Sequence, residues 1–197
     1  MHHSSRTRVF GAVGIAGCLF SLAGWAVMLG DPADTTTSWY IGNTLGDITC
    51  VATAVLTTGL ALLKEAGPGL PSRITLALWP VGWVLLSIGG IVMLTTGQDN
   101  VLLPIGGLGS TLVALVAGIL IARRADLPSG RRWAPLAYGV GGFLLTFAQS
   151  DRHDLLTNIV DLATNLLLLA VGIALFVGSK THQTVAGPTV TARRSAA

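Results

Sequence analysis

Two aspartates lie within long apolar segments of this 197-residue chain, and each shares a predicted helical face with carboxamide side chains. Asn43 lies four residues before Asp47, so the two side chains project from one face. Asn158, Asp161 and Asn165 follow one another at i, i+3 and i+7 and form a second polar stripe. An aspartate in hydrocarbon costs at least about 2.5 to 3.5 kcal/mol, so intramembrane acids face the protein interior and mark ligand or ion pathways.

The chemistry open to these two aspartates is limited by what surrounds them. No lysine or arginine is predicted at their depth, which is about 10 Å below one interface at the helical rise per residue. The charge must therefore be met by amides, hydroxyls, a bound cation or a proton, and two facing carboxylates are expected to share a proton. We expect a polar pocket between the second and sixth helices. The alternative interpretation is a structural network of hydrogen bonds across a helix interface.

Six apolar segments must position these stripes. Half of the residues are hydrophobic (51%), only 11% are charged, and the mean hydropathy is +0.69, which is typical of transmembrane helices. The predicted spans are 9–29, 40–63, 74–96, 101–122, 133–148 and 155–177, of which the fifth is short and glycine-rich. The sequence therefore predicts an all-α, polytopic membrane helix bundle of six transmembrane helices. Residues 1–8 form a leader, 9–178 the transmembrane domain and 179–197 a disordered tail.

Basic residues alternate with these segments. Eleven of the twelve fall on one side: Arg6, Arg8, Lys64, Arg73, Arg123, Arg124, Arg131, Arg132, Lys180, Arg193 and Arg194. The other side has one base, Arg152, and five acids: Asp31, Asp34, Asp99, Asp151 and Asp154. By the positive-inside rule the basic side is cytoplasmic. We therefore expect a multi-pass protein of the cell membrane with both termini in the cytoplasm.

The connection before the sixth span also carries polar residues, since Asp151, His153 and Asp154 lead directly into the second stripe. One interpretation is an outer vestibule that attracts cations or titrates near neutral pH through His153. The other is an ordinary solvated loop.

Small residues and tryptophans give further expectations about packing. A ladder of Gly106, Ser110, Ala114 and Gly118 predicts close helix packing in the fourth span, with a homodimer face as the alternative. Similar glycine-containing ends of the spans fit three helical hairpins, although coincidence explains them equally well. The five tryptophans are expected to anchor the protein at the two interfaces: Trp25, Trp39, Trp79, Trp83 and Trp133.

No nucleotide-binding, metal-binding or catalytic motif accompanies these features, so we expect no cofactor and no metal and assign no catalytic residue. The basic residues occupy short connections, which argues against nucleic acid as a partner. Three functions remain. The first is transport or binding of a cation, proton or small solute. The second is an intramembrane enzyme that performs acid-catalysed chemistry on an isoprenoid or other lipid-soluble substrate. The third is an accessory subunit of a larger membrane complex, and a homo-oligomer is also compatible with the sequence.

Overall fold

The computed structural model describes residues 2–29, 36–148 and 155–184, and all the regular structure in these ranges is helical. The described ranges contain six helices: α1 (His2–Met28), α2 (Thr37–Leu62), α3 (Leu70–Thr96), α4 (Leu102–Ala122), α5 (Ser129–Thr146) and α6 (Leu155–Thr184). Five of them are long and apolar enough to cross a membrane, and α5 is the exception. The predicted helical membrane bundle is confirmed, and the fifth span is the weakest by composition, as expected.

The six helices form a closed ring. Each helix packs against its neighbours along the chain, and α6 packs against α1. Neighbouring helices are antiparallel: the start of α1 meets the end of α2 where Phe10 packs on Gly59, and the end of α1 meets the start of α2 where Gly24 approaches Gly42. In the part described with side chains, every arginine and lysine therefore lies at one end of the ring, which we call the basic end.

Small residues set the distances between neighbouring helices. A methyl group on Gly82 of α3 would come within 2.8 Å of the Cβ of Ser110 in α4, and one on Gly118 of α4 would come within 2.8 Å of the Pro135 carbonyl oxygen in α5. Close backbone approach of this kind is how membrane helices gain packing without a hydrophobic driving force between them. The fourth-span ladder is a packing face within the bundle, turned toward both α3 and α5.

The tryptophan prediction was wrong for three of the five residues. Trp39, Trp79 and Trp83 are buried, and Trp79 has no exposed surface. Trp79 stacks on Tyr138 of α5 with ring centroids 6.2 Å apart. Because α3 and α5 are not neighbours in the ring, the Trp79–Tyr138 contact lies inside it, where the tryptophan ring packs in the core rather than anchoring an interface. Trp133 remains exposed, as an anchor would be.

Candidate functional site

Asp47 lies in the interface between α2 and α3. Its carboxylate occupies the space beside Gly90, where even a methyl group would collide with it. The opposite flank of α2 packs on α1, where the Thr49 hydroxyl donates to the Gly17 carbonyl at 2.8 Å. Asp47 therefore points away from α1 and toward a helix that has no side chain at the facing position.

The Asp47 carboxylate is incompletely satisfied. Its Oδ2 atom is buried and has no hydrogen-bond partner. Asn43, one turn earlier, donates its side-chain amide to the Trp39 carbonyl at 2.9 Å, so that bond is made within its own helix. A buried polar atom without a partner costs about 1 to 3 kcal/mol, and more for a charged group. This carboxylate is therefore placed to accept a proton or a cation.

The second stripe lies on α6, which packs between α1 and α5. Asn158, Asp161 and Asn165 are all half-buried, and the Asn165 amide donates to the backbone carbonyl of Asp161 at 2.9 Å. On this helix Gly172 faces α1, where it approaches Ile15 and Gly11. The two stripes thus belong to helices on either side of α1.

The expected pocket between α2 and α6 involves two helices that form no extended interface with each other in the described ranges. The structure brings Asn43 and Asp47 together on α2, and it brings Asn158, Asp161 and Asn165 together on α6. It gives Asp47 a neighbour on α3 instead of α6. The acids of the predicted vestibule, Asp151 and Asp154, and His153 lie outside the described residues.

Two indole N–H groups of α3 are a feature that the sequence did not indicate. Trp79 and Trp83 are four residues apart on one face of the helix, and both Nε1 atoms are buried without a hydrogen-bond partner. Gly90 lies seven residues after Trp83, so the same side of α3 also carries the position that meets Asp47. One side of α3 therefore carries two indole N–H donors without a partner and also meets the Asp47 carboxylate of α2.

The other missed feature is a buried ion pair at the basic end, between Glu65 and Arg131. Glu65 is 3% exposed and Arg131 is 8% exposed. Glu65 is the only glutamate of the chain and stands directly beside Lys64, which is the one signal that sequence reasoning had available. A second ion pair, Arg124 with Asp126, is on the surface; its hydrogen bond raises the pKa of Arg124.

The part of the chain described with side chains contains no group of three or more histidine, cysteine, aspartate or glutamate side chains able to hold a metal ion. Cys18 and Cys50 are both free thiols, and Cys18 is buried. Comparisons with protein-family models, with curated proteins and with solved structures found no match to this chain.

Proposed function

We propose that this protein is a small membrane carrier or binding protein that takes up a proton or a small cation at Asp47. One observation carries the proposal: a carboxylate oxygen is buried without a partner in a helix long and apolar enough to cross a membrane. Such a carboxylate either accepts a proton or attracts a cation, because no opposite charge neutralises it. Asp47 is fifteen residues before the end of α2, about 22 Å along the helix from the basic end.

The number of available ligands favours a proton or a monovalent cation over a divalent one. A site for Ca²⁺ uses six to eight oxygen ligands, often from several carboxylates. The Asn43 amide lies one turn earlier on α2 and bonds to the Trp39 carbonyl, and across the interface Asp47 meets Gly90, which has no side chain. One carboxylate is enough to bind a proton.

Three buried threonines follow α2 from the level of Asp47 toward the basic end, and the first of them faces α1 rather than the Asp47 carboxylate. Thr49, Thr53 and Thr57 follow one another at i+4 spacing and are at most 5% exposed. The Thr53 and Thr57 hydroxyls donate to carbonyls of α2 one turn earlier, both at 2.8 Å. The Thr49 hydroxyl is shared between the Leu45 carbonyl at 2.9 Å and the Gly17 carbonyl of α1 at 2.8 Å. These hydroxyls are therefore satisfied by backbone carbonyls, and the proposed site consists of Asp47 and its immediate surroundings.

Asp161 on α6 is a second carboxylate that would bind a proton or cation, separately from Asp47. If the two acids shared one pocket, neutralising either would have the same effect. Because the acids lie on helices separated by α1, we expect unequal effects, with the larger loss at Asp47.

The test is uptake by purified protein in proteoliposomes that contain a pH-sensitive dye, with Na⁺ and K⁺ supplied in separate arms. Asp47→Asn keeps the side-chain shape and removes the charge, so we expect it to abolish uptake. Ligand-free Asp47→Asn should be at least as stable as the original protein, because a buried charge has been removed. Asp99→Asn is the matched control, since Asp99 is an exposed acid between α3 and α4.

Normal uptake by Asp47→Asn would contradict the proposal. The proposal would also be contradicted if Asp99→Asn impaired uptake as much as Asp47→Asn does. Uptake would then depend only on the overall charge of the protein and not on the position of the acid. A stoichiometric larger membrane protein that copurifies with an inactive chain would favour the accessory subunit. Release of a product from a neutral lipid would favour the enzyme.

A further inference from the structure

We propose that residues 63–69, which connect α2 to α3, form a plug that closes the basic end of the ring, and that the Glu65–Arg131 ion pair is its latch. This inference deepens the proposed function, and it rests on that function in one respect only: the plug would be a barrier between Asp47 and the basic end. The closure itself is a property of the fold and can be tested without any ligand.

A turn at the end of α2 directs the plug back into the bundle. The Glu65 N–H donates to the Leu60 carbonyl at 3.1 Å, and the Lys64 N–H donates to the Ala61 carbonyl at 3.1 Å. These two bonds form a Schellman motif, in which the residue after the helix adopts a left-handed conformation. That residue is Lys64, with φ of 54°. The reversal places Glu65 inside the ring of helices rather than in solvent.

The residues that follow continue the plug. Ala66 and Gly67 are also buried, and the Ser72 hydroxyl of α3 donates to the Ala66 carbonyl at 2.8 Å. A connection between two surface helices is usually exposed, because buried backbone must find hydrogen-bond partners. This one is folded inward and has found such partners.

The ion pair crosses the ring. Glu65 follows α2 and Arg131 lies in the first turn of α5, two helices that are not neighbours in the ring. The aliphatic part of Arg131 lies against α6 at Gly178, where a methyl group would come within 2.5 Å of the Arg131 Cδ. A single contact thus joins three parts of the ring across its basic end.

The latch is suited to opening. A buried ion pair is no more stabilising than a well-packed apolar pair of the same volume, so its charges are better explained by a switching role. The pair is also incompletely satisfied, because Glu65 Oε2 and Arg131 Nε are buried without a partner. Water that enters on opening would satisfy both atoms and offset part of the free energy lost when the pair separates.

A second, weaker tie holds the outer surface of the plug. Arg124, just after α4, donates from Nη1 to the Lys64 carbonyl at 3.3 Å. Its side chain is 32% exposed, so its removal should not disturb the core of the bundle. This residue allows the plug to be loosened without breaking the buried pair.

The experiment measures how fast a water-soluble methanethiosulfonate reagent labels a cysteine placed behind the plug. The reporter is Thr57→Cys in a Cys18→Ala/Cys50→Ala background, because Thr57 is 1% exposed and lies one to two turns before the plug. The full chain is purified in detergent, where both ends of the bundle meet the reagent. We expect slow labelling with the plug intact.

Glu65→Gln should increase the labelling rate at least about tenfold, because an unpaired buried Arg131 destabilises the closed plug by several kcal/mol. Arg124→Ala should increase it about two- to tenfold, the range expected for loss of one hydrogen bond. Arg123→Ala is the matched control, since Arg123 is an exposed neighbour at the same end, and its rate should stay within about twofold of the original.

A second reporter, Ser87→Cys, separates local opening from general loosening. Ser87 is 7% exposed and lies toward the opposite end of α3. Labelling that rises at position 57 and not at position 87 supports the plug. Labelling that rises at both, or that is unchanged in both Glu65→Gln and Arg124→Ala, overturns it. If Glu65→Gln does not fold, Arg124→Ala decides alone. A plug that opens in a protein with no uptake would refute the proposed function and leave this inference intact.

Discussion

Asp47 and Glu65 belong to the same stretch of chain, one within α2 and one just after it, and their surroundings differ. Glu65 is paired with an arginine and buried at the basic end. Asp47 has a glycine opposite it and keeps a buried oxygen without a partner. Burial of both carboxylates costs free energy, but only that of Glu65 is offset by a protein partner. The difference indicates that the fold supplies a charged partner to Glu65, whereas the described residues supply no hydrogen-bond partner to Asp47 Oδ2.

The largest expected loss of stability comes from removing the arginine of the Glu65–Arg131 ion pair. Arg131→Ala leaves Glu65 buried and unpaired, so we expect a loss of about 3 to 5 kcal/mol in stability. Thermal unfolding in detergent measures it, with Arg123→Ala as the control, since Arg123 is an exposed arginine at the same end. The double variant Glu65→Leu/Arg131→Met should recover most of the loss, because an apolar pair needs no partner. If the double variant is as unstable as the single one, packing rather than charge explains the effect.

A smaller effect is expected at the glycine that faces Asp47. A methyl group in Gly90→Ala would collide with the carboxylate, so this substitution should cost about 1 to 3 kcal/mol. Adding Asp47→Ala should restore most of that stability, because the space is then free. The same denaturation measurement, arranged as a double-mutant cycle, gives the coupling energy between the two positions.

Gly46→Ala is the control for this cycle. No other part of the structure lies within 4 Å of the position that its added methyl would occupy. Alanine is the better helix former, so we expect a gain of about 0.5 to 1 kcal/mol. If Gly90→Ala gave a similar gain, Asp47 would not occupy the space beside α3.

The smallest effect is expected at the turn that buries Glu65. Lys64 adopts a left-handed conformation that costs an ordinary residue roughly 1 to 2 kcal/mol and that glycine adopts freely. Lys64→Gly should therefore raise the midpoint of thermal unfolding slightly, by the equivalent of about 1 kcal/mol or less, since glycine also loses more entropy on folding. A decrease would mean that the lysine side chain itself stabilises the plug.

The sequence predicted where the helices begin and end more accurately than which helices pack against one another. Long apolar runs separated by charged connections predicted six helices, because hydrocarbon thickness and backbone hydrogen bonding leave few alternatives. The predicted ends agree within four residues except at the start of α1 and the end of α6, which each extend seven residues farther. The stripe of Asn43 and Asp47 follows from helical periodicity in the same way. The partner of that stripe does not, because periodicity assigns a residue to a face without saying which helix covers it.

Gly90 illustrates the remaining difficulty. The chain has 25 glycines, and nothing local distinguishes the one that makes room for a carboxylate 43 positions earlier. Glu65 was hidden for a different reason. Charge counting treats a connection as solvated, and only the turn at Lys64 reveals that this connection is folded inward. The tryptophans of α3 were misassigned because a large aromatic side chain suits both an interface anchor and the packed core of the bundle.

The low apolar content of α5 has a consequence for how the protein is made. A segment that is not apolar enough to enter the bilayer readily on its own needs help from helices already there or arriving together with it. Helix α5 packs closely on α4 where Gly118 and Gly139 let the two backbones approach, so α4 offers a surface on which α5 can pack as it enters the bilayer. Biogenesis should therefore be cooperative, and α5 should reach its final place only once α4 has been inserted.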